Sequence, residues 1–209
     1  MALAPYGYED ADGKWLGNFL ELSRAILKEG NFEGYAEVVP VRRVLKLGHT
    51  DCAITADVER MQDNFTRVAH MGLYMDFGVL PLKSVPLKKY TDLKDVIIAV
   101  PVGSNMGMPF DGDNSLEKVE VQNYASAMQM LNRGRVEAAV GVINSLRFSA
   151  LISGVDPNQF GDPLVFKTRN IIFYCHPESK SKPYWNEIEA AIKRMYAKGI
   201  TESIMDKYR

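Results

Sequence analysis

Two stretches of this chain echo one another, and the echo limits what the chain can fold into. Leu45, Gly48, Asp51, Ala53 and Ile54 recur as Leu131, Gly134, Glu137, Ala139 and Val140, with the same spacing and about 86 residues apart. Each copy reads as a helix ending at a glycine that can take the left-handed conformation, then a short polar turn, then an apolar strand. Ahead of the first copy, residues 35–39 alternate like a strand, and Pro40 suits the first turn of a helix. Ahead of the second, Val119, Glu120 and Val121 precede a helix that starts at about Ser126, with Met128 and Leu131 on one face. Alternating strands and helices predict open, mostly parallel sheets, and two copies so far apart predict two α/β lobes rather than one.

The remaining pattern fills in those lobes. Residues 13–17, with Gly13 and Gly17, read as a turn leaving a hairpin, and Phe19, Leu22, Ala25, Ile26 and Leu27 give the following helix an apolar face. Asp92, Leu93 and Lys94 form a helical step into a buried strand over 96–102, which ends at Gly103, Ser104 and Asn105. Residues 170–175 form another strand, and two amphipathic helices close the chain, one with Ile188, Ala191, Ile192 and Met195 on a face, the other with Ile200, Ile204, Met205 and Tyr208. Residues 73–82 and 164–174 are the candidate crossings between lobes. A double crossing makes lobe one discontinuous, 1–76 plus 170–209, with 77–169 as lobe two, and it makes a hinge and a cleft.

Composition excludes several classes. The 209 residues are 46% hydrophobic, enough for a substantial core, and 25 basic against 26 acidic side chains give a net charge of −1. Pairs such as Arg42 with Arg43, or Arg133 with Arg135, are too short to serve nucleic acid or an anionic membrane. The apolar run over 96–102 is strand-length, so direct membrane insertion is not expected. The first residues carry no basic region and no apolar stretch of signal-peptide length. Cys52 and Cys175 are too few for a disulfide framework, and each lies in an apolar run where a buried free thiol is expected. No cofactor or metal-ligand spacing stands out, and His49, His70 and His176 are isolated.

Taken in order, Ala4-Pro5-Tyr6, the Asp12 to Gly17 turn, the Gly48 to Ile54 strand, Glu59-Arg60, the Asp92 to Ser104 step and strand, the Gly134 to Ala139 strand, and Lys198-Gly199-Ile200 ahead of Lys207-Tyr208 resemble family 3 extracellular solute-binding proteins. These are the polar amino-acid receptors of ABC importers, with the type II periplasmic binding protein fold. The resemblance covers nearly the whole chain. It implies two α/β lobes that close on a small-molecule ligand, a periplasmic location, and the membrane subunits of an ABC importer as partners.

It also implies site residues. Arg60, after Thr55 and Asp57, matches the arginine that forks onto a ligand carboxylate, a geometry that guanidinium supplies; the alternative is a solvated helix arginine. The segment is shorter than the family's usual spacing. Gly103, Ser104 and Asn105 match the loop whose N–H groups, at a following helix start, take the same carboxylate; a plain turn and cap is the alternative. Tyr6 or Tyr8 matches the aromatic wall of the pocket.

Two departures stand out. Amino-acid binders place an aspartate for the ligand ammonium where this chain has Val142, with Asn144 two residues on as a neutral polar contact. The ligand is therefore expected to be an anionic or polar organic solute other than an ordinary α-amino acid. Family members also begin with a strand ahead of the Ala-Pro-Tyr loop, whereas this sequence starts almost at that loop; the expectation is a truncated or misassigned start, the alternative a first lobe built differently, for instance completed by another copy. A non-catalytic receptor is the leading reading. A prephenate dehydratase-like enzyme on the same fold would draw its acid or base from Asp57, Glu59 or Asp76, and a ligand-sensing module is a third possibility.

Overall fold

The computed structural model describes residues 3–40, 43 and 52–208. Along the chain its elements are β1 (Tyr8–Glu9), β2 (Trp15–Leu16), α1 (Asn18–Glu29), β3 (Cys52–Ala56), α2 (Glu59–Asn64), β4 (Thr66–Pro81), β5 (Ile98–Pro101), β6 (Lys118–Val121), α3 (Tyr124–Asn132), β7 (Ala138–Val142), α4 (Ile143–Ile152), β8 (Leu164–Cys175), α5 (Trp185–Ala197) and α6 (Ile200–Asp206). The chain divides into two compact units, Met1–Tyr74 with Arg169–Arg209, and Met75–Thr168. The long strands β4 and β8 each run through a division point.

In the first unit, β1 and β2 form a short antiparallel hairpin that feeds α1. Phe19, Leu22 and Ile26, spaced three and four apart, lie buried on one face of α1. The facing stripe of α5 is Ile188, Ala191, Ile192 and Met195, all buried. Polar ties hold these helices in place: Arg194 donates to the Glu29 carbonyl at 2.8 Å and Lys198 pairs with the Glu29 carboxylate at 2.7 Å. β3 pairs antiparallel with the end of β8, Cys52 opposite Cys175 and Ala56 opposite Ile171. Met61 and Phe65 from the α2 segment bury against Ile172 and Tyr174 of β8.

The second unit is a sheet in the order β4-β7-β5-β6, with β7, β5 and β6 parallel and β4 antiparallel to β7. Successive residues of a strand point to opposite faces. Leu80, Ala99 and Ala139 join Met128, Leu131 and Leu146 of α3 and α4 in one core. Their neighbours Val79, Ile98, Ala138 and Val140 join Leu93, Phe110 and Leu116 in another. Burial on both faces is why the strand reads as a continuous apolar run rather than an alternating one.

The second copy of the repeat folds as its sequence implies. Asn123 caps α3 by accepting the Ser126 N–H at 2.9 Å, which starts the helix two residues before Ser126, and Gly134 takes φ 63° just past its end. In the first copy, residues 45–51 lie outside the described residues. The strand expected over 35–39 is absent: that segment has no regular structure, and Tyr35 is 83% exposed. Alternation supplies two faces but not a ladder partner, and no described strand pairs there.

The free-thiol expectation is overturned, because Cys52 and Cys175 form a disulfide. Their apolar setting is as expected, but the β3–β8 register sets the two side chains directly across from each other. The bond closes a sequence separation of 123 residues. Its removal by the double substitution Cys52→Ala, Cys175→Ala is expected to lower unfolding free energy by about 2–4 kcal/mol in a denaturant titration; an unchanged midpoint would contradict a structural role.

Candidate functional site

Open α/β sheets bind ligands beyond the carboxyl ends of their strands, so the residues at those ends are the ones to place. In the second unit, β5 and β7 run parallel and side by side, which brings their carboxyl ends to one edge. β5 leaves the sheet through Gly103, whose φ of 74° a side chain would strain, and the Ser104 N–H closes the turn on the Pro101 carbonyl at 3.0 Å. Ser104 is half-buried and Asn105 exposed.

The helix start expected after this loop does not exist. Residues 103–117 hold no helix, and the N–H groups of Met106 and Gly107 point to the Asp111 carboxylate at 3.2 and 2.8 Å. A local acceptor four and five residues on satisfies those donors within the chain itself, a competition with helix that aspartate commonly wins.

β7 passes directly into α4 at the same edge. Val142 is the residue at the helix cap, and it supplies no side-chain cap; the first turn of α4 contains no acid. Asn144 and Arg147, three residues apart and so on one face, are both exposed. Ser145 is fully buried and its Oγ has no hydrogen-bond partner among the described residues. The Val142 N–H donates to the Tyr124 hydroxyl at 3.1 Å, and burial pushes that phenol up from its usual pKa. Gly141 makes room for the ring, since a Cβ there would lie 2.5 Å from Tyr124 Cε1.

Asp76 also reaches this edge, because β4 pairs Phe77 with Val142. Alternation turns its side chain to the face opposite that of Val142. There its Oδ1 accepts the Thr168 hydroxyl at 2.6 Å.

In the first unit, β3 carries buried Thr55 and ends at Ala56, with Asp57 the residue just beyond it. Asp57 Oδ1 accepts from Arg67 at 2.8 Å, from the Tyr174 hydroxyl at 2.5 Å and from Gln62 at 3.1 Å, and Oδ2 accepts from Arg67 at 2.7 Å. Arg169 donates to the Asp57 main-chain carbonyl at 2.9 Å. Burial works to raise the Asp57 carboxyl, but the hydrogen bonds from Tyr174 and Arg67, with the Arg67 charge, outweigh it and hold the group below its usual value. The Tyr174 phenol is pushed up, by burial first and by its bond to Asp57 second.

Sequence reasoning missed Arg67, Tyr174 and Arg169. Arg60 lies in α2, and its side chain lies outside the described residues. Tyr6 sits in the core, 2% exposed, with its ring 4.7 Å from that of Phe19. Tyr8 is half-buried on β1, its phenol raised by burial and by the charges of Asp10 and Glu21. Among the described residues there is no cluster of three or more metal-ligating side chains, and no helix is long and apolar enough to cross a membrane.

No protein-family model and no curated protein sequence matches the chain. Solved structures do. One is the second substrate binding domain of a protein assigned to amino acid ABC transport in Streptococcus pneumoniae: TM-score 0.72, 17% identity, covering 99% of this chain and 96% of that one. Another is the solute receptor for L-cysteine of Neisseria gonorrhoeae: TM-score 0.68, 20% identity, covering 98% and 85%. A third is an ancestral amino acid-binding protein described as a precursor of cyclohexadienyl dehydratase: TM-score 0.68, 19% identity, covering 99% and 91%. The chain thus has the α/β fold of type II periplasmic binding proteins.

The Asp57 network yields a pH signature. A carboxyl held below its unfolded value adds stability above that value, near 3.8, and loses it as pH falls through the folded one. Asp57→Asn is expected to destabilise the protein by about 1–2 kcal/mol at pH 7. That difference from wild type should shrink as thermal melts are taken below pH 4; a deficit of constant size down to pH 2 would contradict an ionised Asp57.

Proposed function

We propose that this chain is a non-catalytic solute-binding protein that closes on a small polar or anionic organic solute, as the receptor of an ABC-type importer. The observation that carries the reading is the edge of the second unit. There the β7–α4 junction supplies an uncapped helix start, an exposed Asn144 and an exposed Arg147, with apolar Val142 where an ammonium would need a counter-ion. A helix N-terminus carries a partial positive charge, so this edge favours an anion or a neutral acceptor. A buried ammonium left without a partner loses several kcal/mol. Gly103, Ser104 and Asn105 at the neighbouring strand end, Asn144, and Thr55, Asp57 and Arg60 in the first unit are the proposed ligand-binding residues, with Tyr6 and Tyr8 as aromatic neighbours.

A binder fits better than an enzyme. General acid–base work needs a carboxylate free to exchange its proton. Of the three candidate carboxylates, Asp57 is engaged by Arg67, Tyr174 and Gln62 and Asp76 by Thr168, while Glu59 stands exposed in the first turn of α2. The proposed location is periplasmic or otherwise outside the cytoplasm, which the Cys52–Cys175 disulfide supports, because such bonds persist in oxidising compartments. The importer's membrane subunits are the proposed protein partners.

Calorimetry with the standard amino acids and with a series of small carboxylic acids lacking an α-ammonium tests the reading. Micromolar binding is expected among the acids and not among the amino acids. Micromolar binding of any standard amino acid would overturn the assigned charge preference.

A further inference from the structure

The β1–β2 hairpin, the first half of α1 and Tyr208 near the C-terminal end line an open cavity of about 390 Å³ within the first unit. Its floor is apolar, Leu16 and Leu20, and its rim carries Lys14, Glu21, Arg24 and Tyr208. None of the residues at the strand ends described above lines it.

Its charges are unevenly satisfied. The Glu21 carboxylate is used up inside the protein: Oε1 accepts the Tyr208 hydroxyl and Oε2 the Lys207 ammonium, each at 2.6 Å. Although burial works to raise it, those bonds and the charges of Lys207 and Arg24 hold Glu21 below its usual pKa, so it stays ionised and paired. Tyr208 is fixed from its other side by the Gly17 N–H at 3.2 Å. Gly17 permits this close assembly, with φ 135° and a would-be Cβ only 2.5 Å from the Tyr6 carbonyl. Lys14 and Arg24, by contrast, are exposed and form no ion pair among the described residues. The rim therefore holds a glutamate already hydrogen-bonded within the protein and two exposed cations that form no ion pair among the described residues, Arg24 near enough for its charge to act on Glu21, around an apolar floor.

We propose that this cavity is a second binding site, for a small organic anion with a compact apolar body. A carboxylate or phosphate group bridges Lys14 and Arg24, guanidinium offering paired donors to two anionic oxygens. The apolar body covers Leu16 and Leu20. The volume lies in the range of small-molecule sites, and an apolar floor with few polar groups is their usual make-up. Glu21, already bound to Lys207 and Tyr208, repels a second anion less than a free carboxylate would.

The probes are benzoate, with both charge and apolar body, inorganic phosphate, with charge alone, and benzyl alcohol, with the body alone. Amide chemical shifts of Leu16, Gly17 and Leu20 are followed during titration of the intact protein. Benzoate is expected to give saturable shifts at millimolar concentration or below, at least tenfold tighter than phosphate or benzyl alcohol. The double substitution Lys14→Gln, Arg24→Gln should weaken benzoate at least tenfold while leaving the thermal melt unchanged; each single substitution is read separately if the double variant folds poorly. Absence of saturable shifts, or benzoate binding untouched by the substitutions, overturns the proposal. Binding of the transported solute at the strand ends is read from a different set of amides, so the two sites stand or fall independently.

Discussion

The antiparallel ladder of β3 with the end of β8 is the constraint on which the first unit depends. It joins residues more than a hundred positions apart, so its closure carries a loop entropy that local contacts cannot offset. The chain meets that cost at both ends of the ladder. Cys52 and Cys175 bond covalently at one end. At the other, Asp57 gathers Tyr174 of β8 and Arg67 of β4 through hydrogen bonds of 2.5 to 2.8 Å. A strand fixed at both ends presents its carboxyl edge in a single register, which a binding edge requires.

The second unit reaches an ordered edge by another route. Its parallel strands β5 and β7 are buried on both faces, so packing alone fixes their ends, and the loops beyond them are free to carry polar groups. Two features of that edge narrow its chemistry. The N–H groups of Met106 and Gly107 are taken up by the Asp111 carboxylate, and the α4 start lacks both a side-chain cap and an acid. Exposed polar side chains at that edge include Asn105, Asn144 and Arg147. The proposed preference for an acceptor or an anion rests on these groups together with an apolar residue at position 142.

Much of this could be read in the sequence, for identifiable reasons. The glycine at 134, the apolar stripe of α3 and the strand that follows are local signals, each set by residues within a few positions of one another. The continuous apolar run of β5 likewise announces a strand buried on both faces. What escaped reading depends on distant partners. Residues 35–39 alternate properly, but no described strand lies beside them. Cys52 finds Cys175 only through a register that neither neighbourhood encodes. Arg67 meets Asp57 because β4 returns past the end of β3 after the short helix α2, a juxtaposition invisible to spacing rules. Asp111 reaches back to the N–H groups of residues 106 and 107, and no pattern in the run distinguished that from a helix start.

The central claim is that the edge of the second unit receives an acceptor rather than an ammonium. Mass spectrometry of the solute released by denaturing the protein as purified from its producing cells measures this most directly. The account predicts a small polar or anionic organic molecule without an α-ammonium group, in stoichiometric amount. Recovery of a standard α-amino acid in that amount would contradict it.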